Sequence, residues 1–367
     1  MTEKVNYRVL PPGSHIGILG GGQLGRMLGQ AAAKLGFHVH IFSPEDDAPA
    51  AQIANHWTKA GYEDEVQLAA FAESVDVITY EFENVPAATA AFLSARKNVK
   101  PGPRALAISQ DRFEEKTFLK THNVATAPFA PVSHEDEIEG ALKITGLPAV
   151  LKTRRLGYDG KGQALVKTVA QARDAFASMG CVDAIFEGYV SFTSELSVIG
   201  ARDAHGNIAL YDPSTNEHRD HILFRSHVPA QVNEKIAMEA SRISAHLLSE
   251  LDYVGVMGIE FFVDDKENPA QLLVNEFAPR VHNSGHWTLD ACTVSQFEQH
   301  IRAICGWPLG PTTRHANAMM QNLIGEEIHQ CLSLASEANL GLHVYGKKEA
   351  RKGRKMGHFT RLYPLTR

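Results

Sequence analysis

Two glutamates stand where the neighbouring residues are apolar. Glu260 interrupts Met257-Gly258-Ile259-Glu260-Phe261-Phe262-Val263, and Glu276 closes Leu272-Leu273-Val274-Asn275-Glu276. The turn-rich Asp264–Pro269 between the two runs predicts a hairpin. Pairing 260 with 276 sets 262 opposite 274 and 264 opposite 272, and directly opposed residues share one face of a sheet. Two carboxylates on one face repel each other and require a cation between them. With phosphate oxygens added, this is the usual way to hold Mg²⁺, which keeps several waters and avoids all-protein cages.

A second group follows at once: Arg280-Val281-His282-Asn283-Ser284-Gly285-His286-Trp287. Arg280, His282 and Asn283 offer clustered donors to a small planar anion. His282 and His286 have the four-residue spacing of helical zinc ligands. Pro279 and Ser284-Gly285 disfavour a helix there, so zinc is not the expectation.

Two glycine loops complete the inventory. Gly20-Gly21-Gly22-Gln23-Leu24-Gly25 fits G-x-G-x-x-G between a strand and a helix, where glycines and a helix N-terminus can receive a phosphate. A dinucleotide site also needs an acid about 20 residues on. Glu45 and Asp46 come late, behind Pro44, so a single phosphate fits the loop better. Gly157-Tyr158-Asp159-Gly160-Lys161-Gly162-Gln163 follows a strand ending in Lys152. It can fold over a polyphosphate with Lys152 and Lys161 as charges, and it is not a Walker loop.

The elements that must carry these groups fall into two rhythms. Through residue 110 strand and helix alternate: His15–Leu19, a helix from Leu24 to Leu35, Val39–Phe42, a helix started by Asp64 and Gln67, and Val75–Tyr80. This predicts an α/β unit with a parallel sheet. Beyond Pro101-Gly102-Pro103 comes a helix over Asp111–Thr121. Strands Ala149–Lys152, Ala184–Glu187, Glu195–Ala201 and Ile208–Tyr211 then follow with fewer helices between them, an α+β pattern. Helices over Gln231–Leu251 and Ser295–Ile304 precede a C-terminal piece with a basic cluster, Lys347 to Lys355.

Composition excludes several classes. The chain has 367 residues, 44% hydrophobic and 21% charged, enough for two or three domains without staples. A net charge of -6 argues against general nucleic-acid binding. Four scattered cysteines imply no disulfide framework, and neither a secretory signal nor an 18-residue apolar span is read. A cytoplasmic protein that engages neither membrane nor nucleic acid is expected.

Taken together, GGGQLGRM (Gly20–Met27), YEFENVP (Tyr80–Pro86), GYDGKGQ (Gly157–Gln163), NEFAPRVHNSGHWT (Asn275–Thr288) and GRKMGH (Gly353–His358) resemble the ATP-grasp superfamily. Within it they resemble the carboxyaminoimidazole ribonucleotide synthetases. The resemblance implies an N-terminal pre-ATP-grasp domain (1–110), a two-subdomain ATP-grasp (111–308), a small and abbreviated C-terminal domain (309–367) and a homodimer. It implies ATP, bicarbonate and aminoimidazole ribonucleotide as substrates, with Mg²⁺ on Glu260 and Glu276. Around ATP it would place Arg112, Lys152, the lid Gly157–Gln163, the hinge Glu187-Gly188-Tyr189-Val190, Glu195, His218, Asn275 and Glu276. Around the ribotide it would place Gln23, Leu24, Glu81 or Glu83, Asp159, Lys161, and Lys347, Arg351 and Arg354 on the phosphate. Doubled Lys347-Lys348 leaves either lysine as that contact. Arg280, His282 and Asn283, with Tyr158 beside them, would hold bicarbonate in line with the γ-phosphate. The carboxyphosphate formed would release CO₂ for attack by the ribotide amine.

Overall fold

The computed structural model describes residues 9–157, 162–264 and 270–365. These form three sheets. The first is parallel, in the order His56–Thr58, His38–Phe42, His15–Leu19 and Val77–Tyr80, with Leu19 opposite both Phe42 and Tyr80. Its central strands are buried on both faces, as crossover helices require. The last strand starts at Val77 rather than Val75; just before it the Asp76 amide donates to the His15 carbonyl at 2.8 Å and its carboxylate accepts from the His15 amide at 2.9 Å.

The second sheet is a small antiparallel one, ordered Phe129–Val132, Ala184–Gly188, Ala149–Thr153 and Gln163–Val166. The third has nine strands. It runs from the Gln271–Ala278 and Gly255–Asp264 hairpin through Ser194–Arg202, Ser214–Arg219 and Ile222–Val228. It then continues without a break into Asn317–Ile324, Lys355–Tyr363 and Leu340–Val344. The C-terminal segment therefore extends the central sheet instead of building one of its own.

Helix starts follow the sequence signals closely. Asp64 accepts from the Gln67 amide at 3.0 Å, Asp111 from Phe113 at 3.0 Å, and Ser295 from Glu298 at 3.3 Å. The long helix begins at Glu234 rather than Gln231, since Asn233 is the residue that caps it. Ser214–Arg219 and Ile222–Val228 are strands beyond those expected from the sequence. The first, STNEHR, lacks an apolar alternation because its inward residues are polar. Ser197 Oγ, Ser214 Oγ, Asn216 and Ser226 Oγ bond one another at 2.8–3.4 Å inside the sheet, and Ser197 donates to Ser284 Oγ at 2.6 Å. That network pins the 283–285 turn onto the strands. No helix among the described residues is long and apolar enough to cross a membrane.

One apolar core joins the first unit to the rest. The helix Gln23–Lys34 packs on Gln296–Ile304, and Leu28, Val39, Trp287, Phe297, Ile301, Met320 and Tyr345 lie in the same buried cluster. His300 is the polar stitch of this junction. Its Nε2 lies 2.8 Å from Thr79 Oγ1, and its Nδ1 accepts from the Val256 amide at 3.1 Å, so the ring is neutral with the proton on Nε2. Gly255 (φ +135°) has no Cβ that would press on this ring at 3.1 Å.

Burial lowers the His300 pKa to about 3. Below the free-histidine value near 6.5 the unfolded chain takes up a proton that the folded chain refuses. Stability should therefore fall as pH drops from about 6.5 towards about 3, with this residue contributing a slope of about 1.4 kcal/mol per pH unit. We expect His300→Gln to flatten that part of the curve, measured by urea unfolding at successive pH values. An unchanged slope would remove His300 as its source.

Candidate active site

A cleft of about 1180 Å³ lies between the sheets. Its floor is the 255–278 hairpin. Glu260 pairs with Glu276, but the register then shifts: Phe261 faces Val274, Phe262 faces Leu273, and Asp264 faces Gln271. The expected 262–274 and 264–272 pairs are thus each off by one. Asn275 is the extra residue of a β-bulge, and bulges recur where a side chain must be re-aimed. Asn275, Glu260 and Glu276 all line the cleft. Asn275 Oδ1 is buried with no hydrogen-bond partner among the described residues.

Each carboxylate meets a nitrogen side chain from another element. Arg112, first residue of its helix, reaches Glu276 at 2.9 Å. His282 Nε2 lies 3.0 Å from Glu260, its other nitrogen 2.8 Å from Ser284 Oγ. Gly258 makes the room: a Cβ there would sit 2.5 Å from that of His282. Burial alone would raise the Glu260 pKa, but His282, His218 and Lys355 hold it below the usual carboxylate range.

Two buried residues beneath the floor had no sequence signal beyond lying in a capped helix. Lys116 Nζ donates to the Asn275 carbonyl at 2.6 Å and lies 3.6 Å from Glu187. Glu115 accepts from the Phe277 amide at 2.7 Å, and burial together with Glu276 pushes its carboxyl up to about 8. Their positions in the Arg112–Thr121 helix matched an amphipathic surface helix; only the packed hairpin above explains them.

On the side of the small antiparallel sheet, Lys152 binds Glu187 at 3.0 Å. Burial opposes charge on Glu187, yet Lys116, Lys152 and Arg112 hold its carboxyl at about 2. Glu187 thus works through its side chain, whereas the hinge reading used only its backbone. The amides of Gly188 and Tyr189 already donate to Pro128 O at 2.8 Å and Pro148 O at 3.1 Å, so they are not open to a base edge; Val190 follows them. Phe192, stacked on Phe262 at 4.7 Å, gives this end an apolar wall that the motifs did not reveal. Glu195 pairs with His218 Nδ1 at 2.5 Å; burial opposes the charged ring, but Glu195 raises the His218 pKa. Gly157 and Gln163 line the cleft. Tyr158, Asp159, Gly160 and Lys161 lie outside the described residues, next to Gly162 (φ +72°).

The opposite end carries Gln23, Leu24, Glu81 and Glu83. The first glycine loop differs from its reading. Glu81 accepts from the Gly22 amide and, at 2.6 Å, from Gly25, so a protein carboxylate already occupies the helix N-terminus. Any phosphate near Gln23 and Leu24 must lie outside that point. Burial raises the Glu81 pKa against these bonds. Glu83 and Arg280 form a fork: Nη2 to Oε1 at 3.0 Å, Nε to Oε2, with Nη1 on Val281 O at 3.1 Å. Burial opposes charge on Glu83, but Arg280 brings it to about 2. Asn283 exchanges amide hydrogen bonds with buried Asn322 at 2.7 and 3.0 Å. His286 points elsewhere, buried against Gln296 and Phe297.

The C-terminal cations divide. Lys355 lines the cleft. Lys347 donates to Lys355 O at 2.7 Å and feels Glu81; burial first, then Arg354, lowers its pKa to about 8. Arg354 donates to Glu349 O at 3.0 Å, and exposed Arg351 pairs with the Glu349 carboxylate. Lys347, Arg351 and Arg354 are not among the residues lining the cleft. The Lys348 amide bonds Asp47 at 3.2 Å.

Comparison with known proteins places this geometry. Family models match the ribonucleotide synthetase preATP-grasp domain at residues 14–110, the ATP-grasp domain at 117–297, and the phosphoribosylaminoimidazole carboxylase C-terminal domain at 318–364. The N5-carboxyaminoimidazole ribonucleotide synthase of Brucella melitensis is 52% identical, over 97% of this chain and 98% of its own length. The Staphylococcus aureus N5-carboxyaminoimidazole synthetase solved with ADP superposes with a TM-score of 0.92 at 36% identity, over 97% of this chain and 95% of the other. The Aspergillus clavatus N5-carboxyaminoimidazole synthase solved with ADP and 5-aminoimidazole ribonucleotide gives 0.88 at 26% identity, over 96% and 95%. A bulged hairpin offering two opposed carboxylates, an arginine fork and a two-ended cleft, with this likeness along almost the whole length, make the chain a member of the N5-carboxyaminoimidazole ribonucleotide synthase family of ATP-grasp enzymes.

Proposed function

We propose that the chain is a ligase that uses ATP and bicarbonate to carboxylate 5-aminoimidazole ribonucleotide to its N5-carboxyamino form. The observation that carries this is one cleft lined both by Gln23, Leu24, Glu81 and Glu83 of the first unit and by Arg112, Lys152, Glu195, Glu260 and Glu276 of the central one, together with Arg280, His282 and Asn283. ATP is taken at the end with Arg112, Lys152, Phe192 and Glu195, the ribotide at the end with Gln23, Leu24, Glu81, Glu83 and Lys355.

The floor fits Mg²⁺. Glu260 and Glu276 are hard oxygen ligands on one face, and Asn275 Oδ1 between them is a buried acceptor lacking a donor. These three residues would hold the ion, which neutralises charge on the transferring phosphoryl group. Arg112 and Lys152 then exchange carboxylate partners for phosphate oxygens, a small rearrangement of charges already in place.

Bicarbonate is a poor electrophile and must become a mixed anhydride. Glu83 fixes the guanidinium of Arg280 edge-on, Nη1 also donates to the Val281 carbonyl, and two N–H bonds of this cleft-lining residue are left over. The group is thus pre-oriented for an oxyanion next to His282 and Asn283, and positioning supplies most of such catalysis. The bicarbonate oxygen attacks the γ-phosphorus, ADP leaves, and carboxyphosphate breaks into CO₂ and phosphate where water is excluded. The ribotide amine attacks CO₂, and phosphate or a nearby side chain takes the proton. The homodimeric state belongs to the same reading and rests on the family resemblance; sedimentation measures it.

The direct test is ADP release with Mg-ATP, bicarbonate and aminoimidazole ribonucleotide, each left out in turn. Full turnover should need all three, and ADP formation indifferent to both bicarbonate and ribotide would overturn the assignment. Glu276→Gln keeps shape but removes one charge from the floor, and we expect turnover to collapse with the protein still folded; near-normal ADP formation at ordinary magnesium would remove the metal role. Arg280→Lys cannot reproduce the fork. It should keep ATP affinity and lose about 10²- to 10³-fold in kcat, roughly 2–4 kcal/mol in the chemical step. If thermal stability instead falls in parallel with Glu83→Gln and kcat holds, Arg280 serves the fold and not bicarbonate.

A further inference from the structure

Away from the cleft, two helix ends converge. The helix Arg112–Thr121 ends in His122, its C-cap, and Glu234–Glu250 ends in Glu250, with His246 one turn earlier on the same face. The partial negative charge at a helix C-terminus favours a cation, and here two such ends point at one spot. Among the described residues, His122, His246 and Glu250 are the one group of three whose possible ligand atoms all lie within 4.8 Å of one another.

The contacts are specific. His122 Nδ1 is 3.0 Å from one Glu250 oxygen and His246 Nδ1 is 3.7 Å from the other. An ion held at ordinary Zn–N and Zn–O lengths in a tetrahedral site separates its ligand atoms by roughly 3.3 Å. The side chains therefore stand close to a coordinating geometry. His246 Nε2 donates to the His122 carbonyl at 3.1 Å, which turns its Nδ1 towards Glu250. Such a backbone contact on the far ring nitrogen is how metal-binding histidines are oriented. His122 is packed against the Phe118 ring at 4.4 Å, and Arg104 binds the Glu250 carbonyl at 3.1 Å, not its carboxylate. All three groups are partly exposed, so a hydrated ion can reach them and water can fill the fourth position.

We propose that His122, His246 and Glu250 bind a divalent transition-metal ion of the zinc class, clamping the two helices together outside the catalytic cleft. Uptake at His122 Nδ1 replaces the hydrogen bond to Glu250, and the ring proton moves from Nδ1 to Nε2, so the neutral imidazole ligates through its lone pair. The clamp would act on the helix that begins with Arg112 and so stiffen the support of the cleft floor.

The test uses the full chain, treated with chelator and dialysed into magnesium-free buffer. Zn²⁺ is titrated by calorimetry, and Co²⁺ by its visible absorption. We expect one equivalent bound with a four- or five-coordinate cobalt spectrum, and a melting temperature that rises with zinc concentration. His246→Gln, which can still donate to the His122 carbonyl, and His122→Asn should each weaken binding by about 100-fold or more, while Glu276→Gln should bind as before. Zinc-edge X-ray absorption on the wild-type protein, which does not depend on the variants folding, should show two histidine ligands. Binding that survives both histidine variants, binding lost in Glu276→Gln, oxygen-only coordination, or no binding at all would each overturn the proposal.

Discussion

Two carboxylates facing each other across a strand pair are the constraint around which the rest is arranged. Glu260 and Glu276 emerge on one face, where repulsion would expel one of them from the ionised state unless each found a hydrogen-bonding or charged partner. The solution draws on distant parts of the chain. Arg112 comes from the first helix of the central unit, and His282 comes from a turn that hydroxyls pin to the sheet. Gly258 gives His282 its space. Packing of the hairpin, the helix and the turn is therefore coupled to the charge state of one pair, and a bound cation would release Arg112 and His282 for other partners.

The same logic recurs at both ends of the cleft. Lys152 and Lys116 converge on Glu187, Arg280 forks onto Glu83, and Glu81 fills the N-terminus of the first helix. Arg112, Lys152 and Arg280, the cations suited to an anionic substrate on the floor and walls, already have protein carboxylates beside them. A buried cation without a partner would be costly, so pairing keeps these side chains ordered and charged before substrate arrives. Substrate binding then exchanges one anion for another, which needs less reorganisation than creating a charged pocket afresh.

Much of this was legible in the primary structure, and the reasons differ by element. Caps at Asp64, Asp111 and Ser295 are local hydrogen bonds, so residue type and spacing suffice to place them. The carboxylate pair was visible because ionisable residues in apolar strands are rare. The hairpin register was not: the bulge at Asn275 depends on how both strands meet their neighbours, and it moved every pair beyond Glu260 by one. Polar strand 214–219 was hidden for a related reason, since its inward side chains are satisfied largely across the sheet, by Ser197 and Ser226 of the neighbouring strands.

What the amino-acid order determined by itself was the alternation of elements, the two glycine loops and the identity of the groups with chemistry to offer, because these rest on periodicity, backbone freedom and side-chain type. Which charge meets which was decided only by tertiary structure. Glu83 and Arg280 are 197 residues apart and Thr79 and His300, at the domain junction, 221, and no local pattern encodes such pairs. Glu81 shows the difference most directly. Its place beside a strand end was readable, yet only the folded sheet brings its carboxylate onto the Gly22 and Gly25 amides, turning an apparent phosphate loop into a filled one. A helix N-terminus takes whichever anion the fold delivers first, and here the parallel pairing of the first and fourth strands delivers Glu81.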